Sequence, residues 1–116
     1  MNVVIVEGTL SRAPEARILA SGAALLACEV TVRDEGAPTE TVPVAWFDPP
    51  AAAWRLTEGM AVVVSGRVRR RFFRAGGATV SRTEVVATTV VPSRGAKRRA
   101  RVLGEASAAL GPVDGP

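Results

Sequence analysis

Apolar residues up to Pro92 gather in short runs, several with every second position apolar, the period of strands with one buried face. Val3 to Leu10 reads as a first strand, opening on four apolar residues in a row and broken by Gly8. Ser11 to Gly22 loses the pattern at Pro14 and Ser21-Gly22, which predicts turns. Ala24 to Arg33 resumes it, with Leu26, Cys28, Val30 and Val32 on one side. Asp34 to Thr39 is a short connection through Gly36 and Pro38. Glu40 to Phe47 then places Val42, Val44 and Trp46 on one face and Thr41, Pro43, Ala45 and Phe47 on the other. Pro43 removes a backbone donor, which predicts an exposed edge or a bulge there.

Asp48-Pro49-Pro50 opens a helix over Ala51 to Glu58, with Asp48 as N-cap, Pro49 in the first turn and Gly59 as terminator. Met60 to Phe73 is the fourth strand, and Thr79 to Val91 the fifth. Between them Arg74 to Ala78 forms a hairpin, because Gly76-Gly77 tolerates positive φ. Three strands, one short helix and a hairpin match an all-β, five-stranded Greek-key barrel of the OB type, with its helix between strands three and four. An SH3-like barrel is the nearest alternative, and it usually lacks a helix at this place. Residues 1–92 form the folded domain. Residues 93–116 are a basic, then Gly/Pro/Ala-rich tail, and the pattern predicts disorder from 104 onward.

The fourth strand turns from apolar to basic and aromatic at Gly66, running Gly-Arg-Val-Arg-Arg-Arg-Phe-Phe. Arg67, Arg69, Arg71 and Phe73 share one face, and Val68, Arg70 and Phe72 the other. Guanidinium groups ending in an aromatic ring suit a polyanion whose bases stack, which is single-stranded nucleic acid. An edge strand guarded by charge against aggregation is the other reading of the same residues.

Composition narrows the choice. The 47% apolar and 22% charged content fits a folded chain, and 4% aromatic content gives each ring a role to explain. Residues 1–92 hold ten Arg and no Lys against nine acidic residues, a balance of +1. Anion affinity there must come from clustering. With one cysteine and no histidine, an internal disulfide and a Cys/His zinc site are excluded, and neither metal nor cofactor is expected. No signal peptide or membrane span is legible, so a cytoplasmic location is expected. No His, phosphate loop or nucleophile setting supports catalysis, so an enzyme is not expected.

The chain resembles the bacterial single-stranded DNA-binding proteins over roughly residues 2–92. The resemblance rests on Asn2-Val3-Val4 leading to Gly8-Thr9-Leu10, Arg12 to Arg17, Ser21-Gly22, Phe47, Leu56-Thr57-Glu58-Gly59, Val62 to Arg67 and Arg82-Thr83-Glu84-Val85. The Arg/Ala/Val-rich composition is similar to actinobacterial members. The resemblance implies binding of single-stranded DNA with little sequence preference, in replication, recombination or repair. It implies that Phe47 and Phe73 stack on bases and that Arg69 and Arg71 approach phosphates. Arg67 joins them by parity, and Arg12, Arg17 and Arg74 are expected to help. It also implies self-association, as a homotetramer built as a dimer of dimers or as a homodimer.

The chain departs from the family where a tryptophan usually opens strand three: Thr41 stands there. The loop between strands two and three carries no aromatic residue either. The chain ends Pro112-Val113-Asp114-Gly115-Pro116 in place of an acidic, Phe-ended tip, so recruitment of repair partners through such a tip is not expected. A protein-interaction OB module of the primosome-accessory type is the alternative function, and RNA as ligand stays open.

Other side chains have plainer expectations. Trp46 is a core or subunit-contact residue, Trp54 packs against the barrel bottom, and Cys28 is a small core residue. Phe72 belongs to core or interface. Phe47 and Phe73 could also be surface aromatics at a dimer contact, and Arg12 and Arg17 either touch DNA or pair with Glu15. Lys97 to Arg101 is a solvated tail, an electrostatic arm or a strand clasping a neighbour.

Overall fold

The alternating runs fold into a sheet that closes on itself, seen in a computed structural model that describes residues 1–93 and Gly104. The elements are β1 (Val4–Leu10), β2 (Glu15–Ile18), β3 (Ala24–Val32), β4 (Glu40–Phe47), a 3-10 turn (Ala51–Arg55), β5 (Ala61–Ala75) and β6 (Ala78–Pro92). Their spatial order is β1-β5-β6-β4-β3-β2, and a further pairing of β1 with β3 closes the barrel. All neighbours are antiparallel except β4 and β6, which pair in parallel at Val44↔Val85 and Ala45↔Val86. This is the all-β arrangement of an OB fold, with β2 added at the open edge. The expected tail beyond Ser93 lies outside the described residues, Gly104 apart.

The predicted inward faces make the core. Leu10, Val30, Val62 and Val64 are fully buried, and Leu26, Cys28, Val44 and Trp46 pack with them. Burying each such side chain contributes roughly 1.5–3 kcal/mol before entropy is counted. Trp46 is therefore a core residue, with its ring inside the barrel. Burial pushes the Cys28 thiol up to about 11, as expected of an inert apolar position.

Several local features differ from the sequence pattern. Ser11 to Gly22 contains a strand, β2, whose residues pair with β3 from Glu15↔Ala27 to Ile18↔Ala24. Its Glu-Ala-Arg-Ile run has no hydrophobic period because all four residues are exposed. The helix is a 3-10 turn only five residues long, and Pro50 precedes it without a side-chain cap. Asp48 does not cap it. Asp48 takes a positive φ of 47°, which Asp tolerates better than most residues. Its backbone N–H donates to the Ala24 carbonyl at 2.8 Å, and its Oδ1 accepts from the Ala24 N–H at 3.2 Å. The carboxylate thus ties off the β3–β4 pair.

Pro43 is paired on its β3 side only, opposite Glu29, and falls just outside the two-residue β4–β6 contact, a locally unpaired edge where a missing donor is tolerated. Trp54 does not pack into the barrel bottom, being 75% exposed; Ala53 and Leu56 are the buried residues there. Phe72 is likewise no core residue, at 66% exposed.

The Gly76-Gly77 hairpin forms as predicted, with both glycines at positive φ. It joins two fifteen-residue strands paired from Ala75↔Ala78 down to Val62↔Pro92. The register slips once, so that Ser65 faces Thr89 and Gly66 faces Ala87. Below the slip β5 is buried wall, Val62 to Ser65; above it the residues are mostly exposed. β1 pairs with β5 up to Gly66 and β4 with β6 up to the level of Val68, so the hairpin projects from the barrel beyond Val68, within the basic sequence.

Candidate nucleic-acid interface

A two-residue turn fixes the register of its hairpin. Counting back from Ala75↔Ala78 puts Phe73 opposite Val80, Arg71 opposite Arg82, Arg69 opposite Glu84 and Arg67 opposite Val86. Glu84 is thereby set among the arginines of β5. Its Oε1 accepts from Arg69 Nη2 at 2.6 Å and lies 3.2 Å from Arg71 Nε. The carboxylate is only 6% exposed, because the two guanidinium groups cover it. Removing one partner of such a buried pair is costly, since it strands the remaining charge.

Each of these arginines also lies against a ring. The Arg69 guanidinium carbon is 5.4 Å from the Phe47 centroid, and that of Arg71 is 5.0 Å from Phe73. These distances fall within cation–π range. Phe47, Arg69, Glu84, Arg71 and Phe73 thus form one continuous, half-exposed row drawn from β4, β5 and β6. Arg69 Nε is buried there without a protein partner. On the other side of β5, Arg70 sits 5.6 Å from the Phe72 centroid and donates to Ser81 Oγ at 3.0 Å.

The N-terminus steadies the strand where it leaves the barrel. Asn2 Nδ2 donates to the Val68 carbonyl at 2.7 Å, and Asn2 Oδ1 accepts from the Val68 N–H at 2.8 Å. Both backbone groups of a projecting residue are satisfied by one side chain.

Of the sequence-predicted residues, Phe47, Arg69, Arg71 and Phe73 come together. Arg12 and Arg17 border the same groove as Arg71, but each is held by a carboxylate. Arg12 Nε lies 3.3 Å from Glu29 Oε2. Arg17 engages both oxygens of Glu15 at 3.2 Å. That hydrogen bond, and then the charge of Arg17, lowers the Glu15 pKa. Arg67 shares the face by register without touching the cluster. Arg74 stays apart, donating to the Gly77 carbonyl at 2.9 Å at the hairpin tip. Thr41, at the family's tryptophan position, places its hydroxyl 3.5 Å from that of Thr31.

Sequence reasoning missed Glu84 and Arg82 as parts of this face. The signal was present: the Gly-Gly turn, once accepted, dictates the register that brings them opposite Arg69 and Arg71.

The face offers planar rings for stacking and guanidinium groups for phosphates, with no cluster of metal-ligating side chains among the described residues. Among them, no helix is long and apolar enough to cross a membrane. A search of curated proteins finds no match to this chain. The sequence matches the model of the single-strand binding protein family over residues 1–93. With that match spanning most of its length, the chain belongs to the single-strand binding protein family.

Proposed function

We propose that this protein binds single-stranded DNA with little sequence preference, stacking bases on Phe47 and Phe73 and engaging phosphates through Arg67, Arg69 and Arg71. The carrying observation is the row in which two rings and two guanidinium groups are held in register by Glu84. Membership of a non-catalytic DNA-binding family supports single-stranded DNA as ligand in general. Stacking accepts any base, because every base has a π-face, and this is the physical basis of low sequence preference. Arg12 and Arg17 would contribute once a phosphate competes with their carboxylates, and Arg74 at the hairpin tip would reach a longer strand. A cytoplasmic, nucleoid-associated protein acting in replication, recombination or repair fits this reading. Self-association, as a dimer of dimers or a dimer, fits the family.

Anisotropy of a labelled oligo-dT strand, titrated at several salt concentrations beside a duplex of equal length, tests the proposal. The expected result is a preference for the single strand, with affinity falling as salt rises. Equal affinity for duplex, or no binding at low salt by folded protein, would contradict it.

A second reading, a protein-interaction module, is favoured by one observation. Ile18 and Trp54, each about three-quarters exposed, line an apolar groove beside Pro49. Ile18 alternates with Arg17 along β2, so the Ile18 side chain points away from the face on which Arg17 lies. A partner there would leave oligo-dT binding intact, and the two readings are separable.

A further inference from the structure

Arg71 and Arg82 stand directly opposite each other across the β5–β6 ladder. Like charges at directly opposed positions repel, with Cβ atoms about 4.5–5.5 Å apart. The carboxylates bordering this groove are already engaged: Glu15 by Arg17, Glu29 by Arg12, and Glu84 by Arg69 and Arg71. Arg82 has no hydrogen bond or ion pair among the described residues. Among the described residues it is the surplus cation of the groove. Arg71 reaches Glu84 through Nε, the inner edge of its guanidinium. Two facing guanidinium groups, one fixed and one unengaged, suit a bridging tetrahedral anion.

We propose that Arg71 and Arg82 form a two-arginine subsite for a backbone phosphodiester, with Glu84 fixing the Arg71 guanidinium from behind. This rests on the reading that single-stranded DNA occupies the Phe47–Phe73 face, and it adds Arg82, on the partner strand, to the residues that hold it. The subsite carries the DNA backbone from the rings on β4 and β5 across to β6, toward the wall bearing Arg12. The bound phosphate also relieves the repulsion that the free protein tolerates.

Arg82→Gln and Arg82→Lys in the full chain, titrated with labelled oligo-dT over a salt series, test the subsite. R82Q is expected to make the slope of log affinity against log salt shallower by about 0.7, with binding roughly three- to tenfold weaker at low salt. R82K keeps the slope and loses part of the affinity, since lysine lacks the planar fork. The melting temperature of DNA-free R82Q is expected to equal or exceed that of the parent, because a repulsion is removed. R82Q with parental slope and affinity would overturn the subsite while leaving DNA binding intact. A lower melting temperature for R82Q would also overturn it, making Arg82 a structural residue. Inorganic phosphate that raises the melting temperature of the parent but not of R82Q, with the DNA slope unchanged, would assign the pair to a free anion instead. Absence of DNA binding by the parent chain itself would remove the underlying functional reading.

Discussion

Alanine at both Phe47 and Phe73 is expected to weaken oligo-dT binding by at least about 2 kcal/mol, roughly thirtyfold. Stacking contributes about 1–3 kcal/mol per base, and this chain has Thr41 where the family usually carries a further ring. On the proposed reading, two rings therefore carry a larger share of the stacking. The loss should exceed simple truncation, because Arg69 and Arg71 rest against these rings and lose a restraint with them. Both rings are half-exposed, so the double variant should stay folded. Anisotropy with labelled oligo-dT measures the effect, and native mass serves as the control. Unchanged affinity together with a changed mass would turn the two rings into an assembly surface in place of a stacking platform.

Valine at Gly66 is expected to cost about 3 kcal/mol or more, read as a lower urea midpoint. A Cβ there would run into the Val86 carbonyl oxygen and lie 2.9 Å from the Ala87 Cα. Both are backbone atoms of the paired strand, so neither gives way as a flexible side chain would. The site is also where the ladder slips register, and where β5 loses its pairing with β1. Relief of the clash must pull β5 from β6 at the base of the binding face, so DNA affinity should fall along with stability. A parental midpoint would contradict this close approach of the strands.

These two predictions differ in how visible their causes are in the sequence. Alternation alone placed Val42, Val44 and Trp46 inside and Arg67, Arg69, Arg71 and Phe73 on one face, because side-chain direction on a strand is a local property. The Gly76-Gly77 turn was equally legible, since few residue pairs take two positive φ values. β2 was hidden because an edge strand exposed on both faces shows no hydrophobic period. Asp48 was misread because N-cap chemistry and a left-handed corner favour the same residue, and only the distant Ala24 amide distinguishes them. Trp54 was misplaced because five residues in a 3-10 turn point in other directions than an α-helix of eight would. Glu84 is the instructive omission. Its role depends on a partner strand fifteen residues away, and a single strand read alone shows four arginines in five residues without the carboxylate that organises two of them.

Glu84 also sets what the face costs and gains. One carboxylate neutralises part of the charge of Arg69 and Arg71 and holds both side chains against their rings. On the proposed reading, binding then begins from ordered guanidinium groups, which spares side-chain entropy at the moment of association.

The most direct test of the account is amide chemical-shift mapping of the protein with a short oligo-dT strand. The account predicts shifts concentrated on β4 near Phe47, on β5 from Arg67 to Phe73, and on β6 from Arg82 to Val86. Shifts confined to β2 and the 3-10 turn, around Ile18 and Trp54, would contradict it.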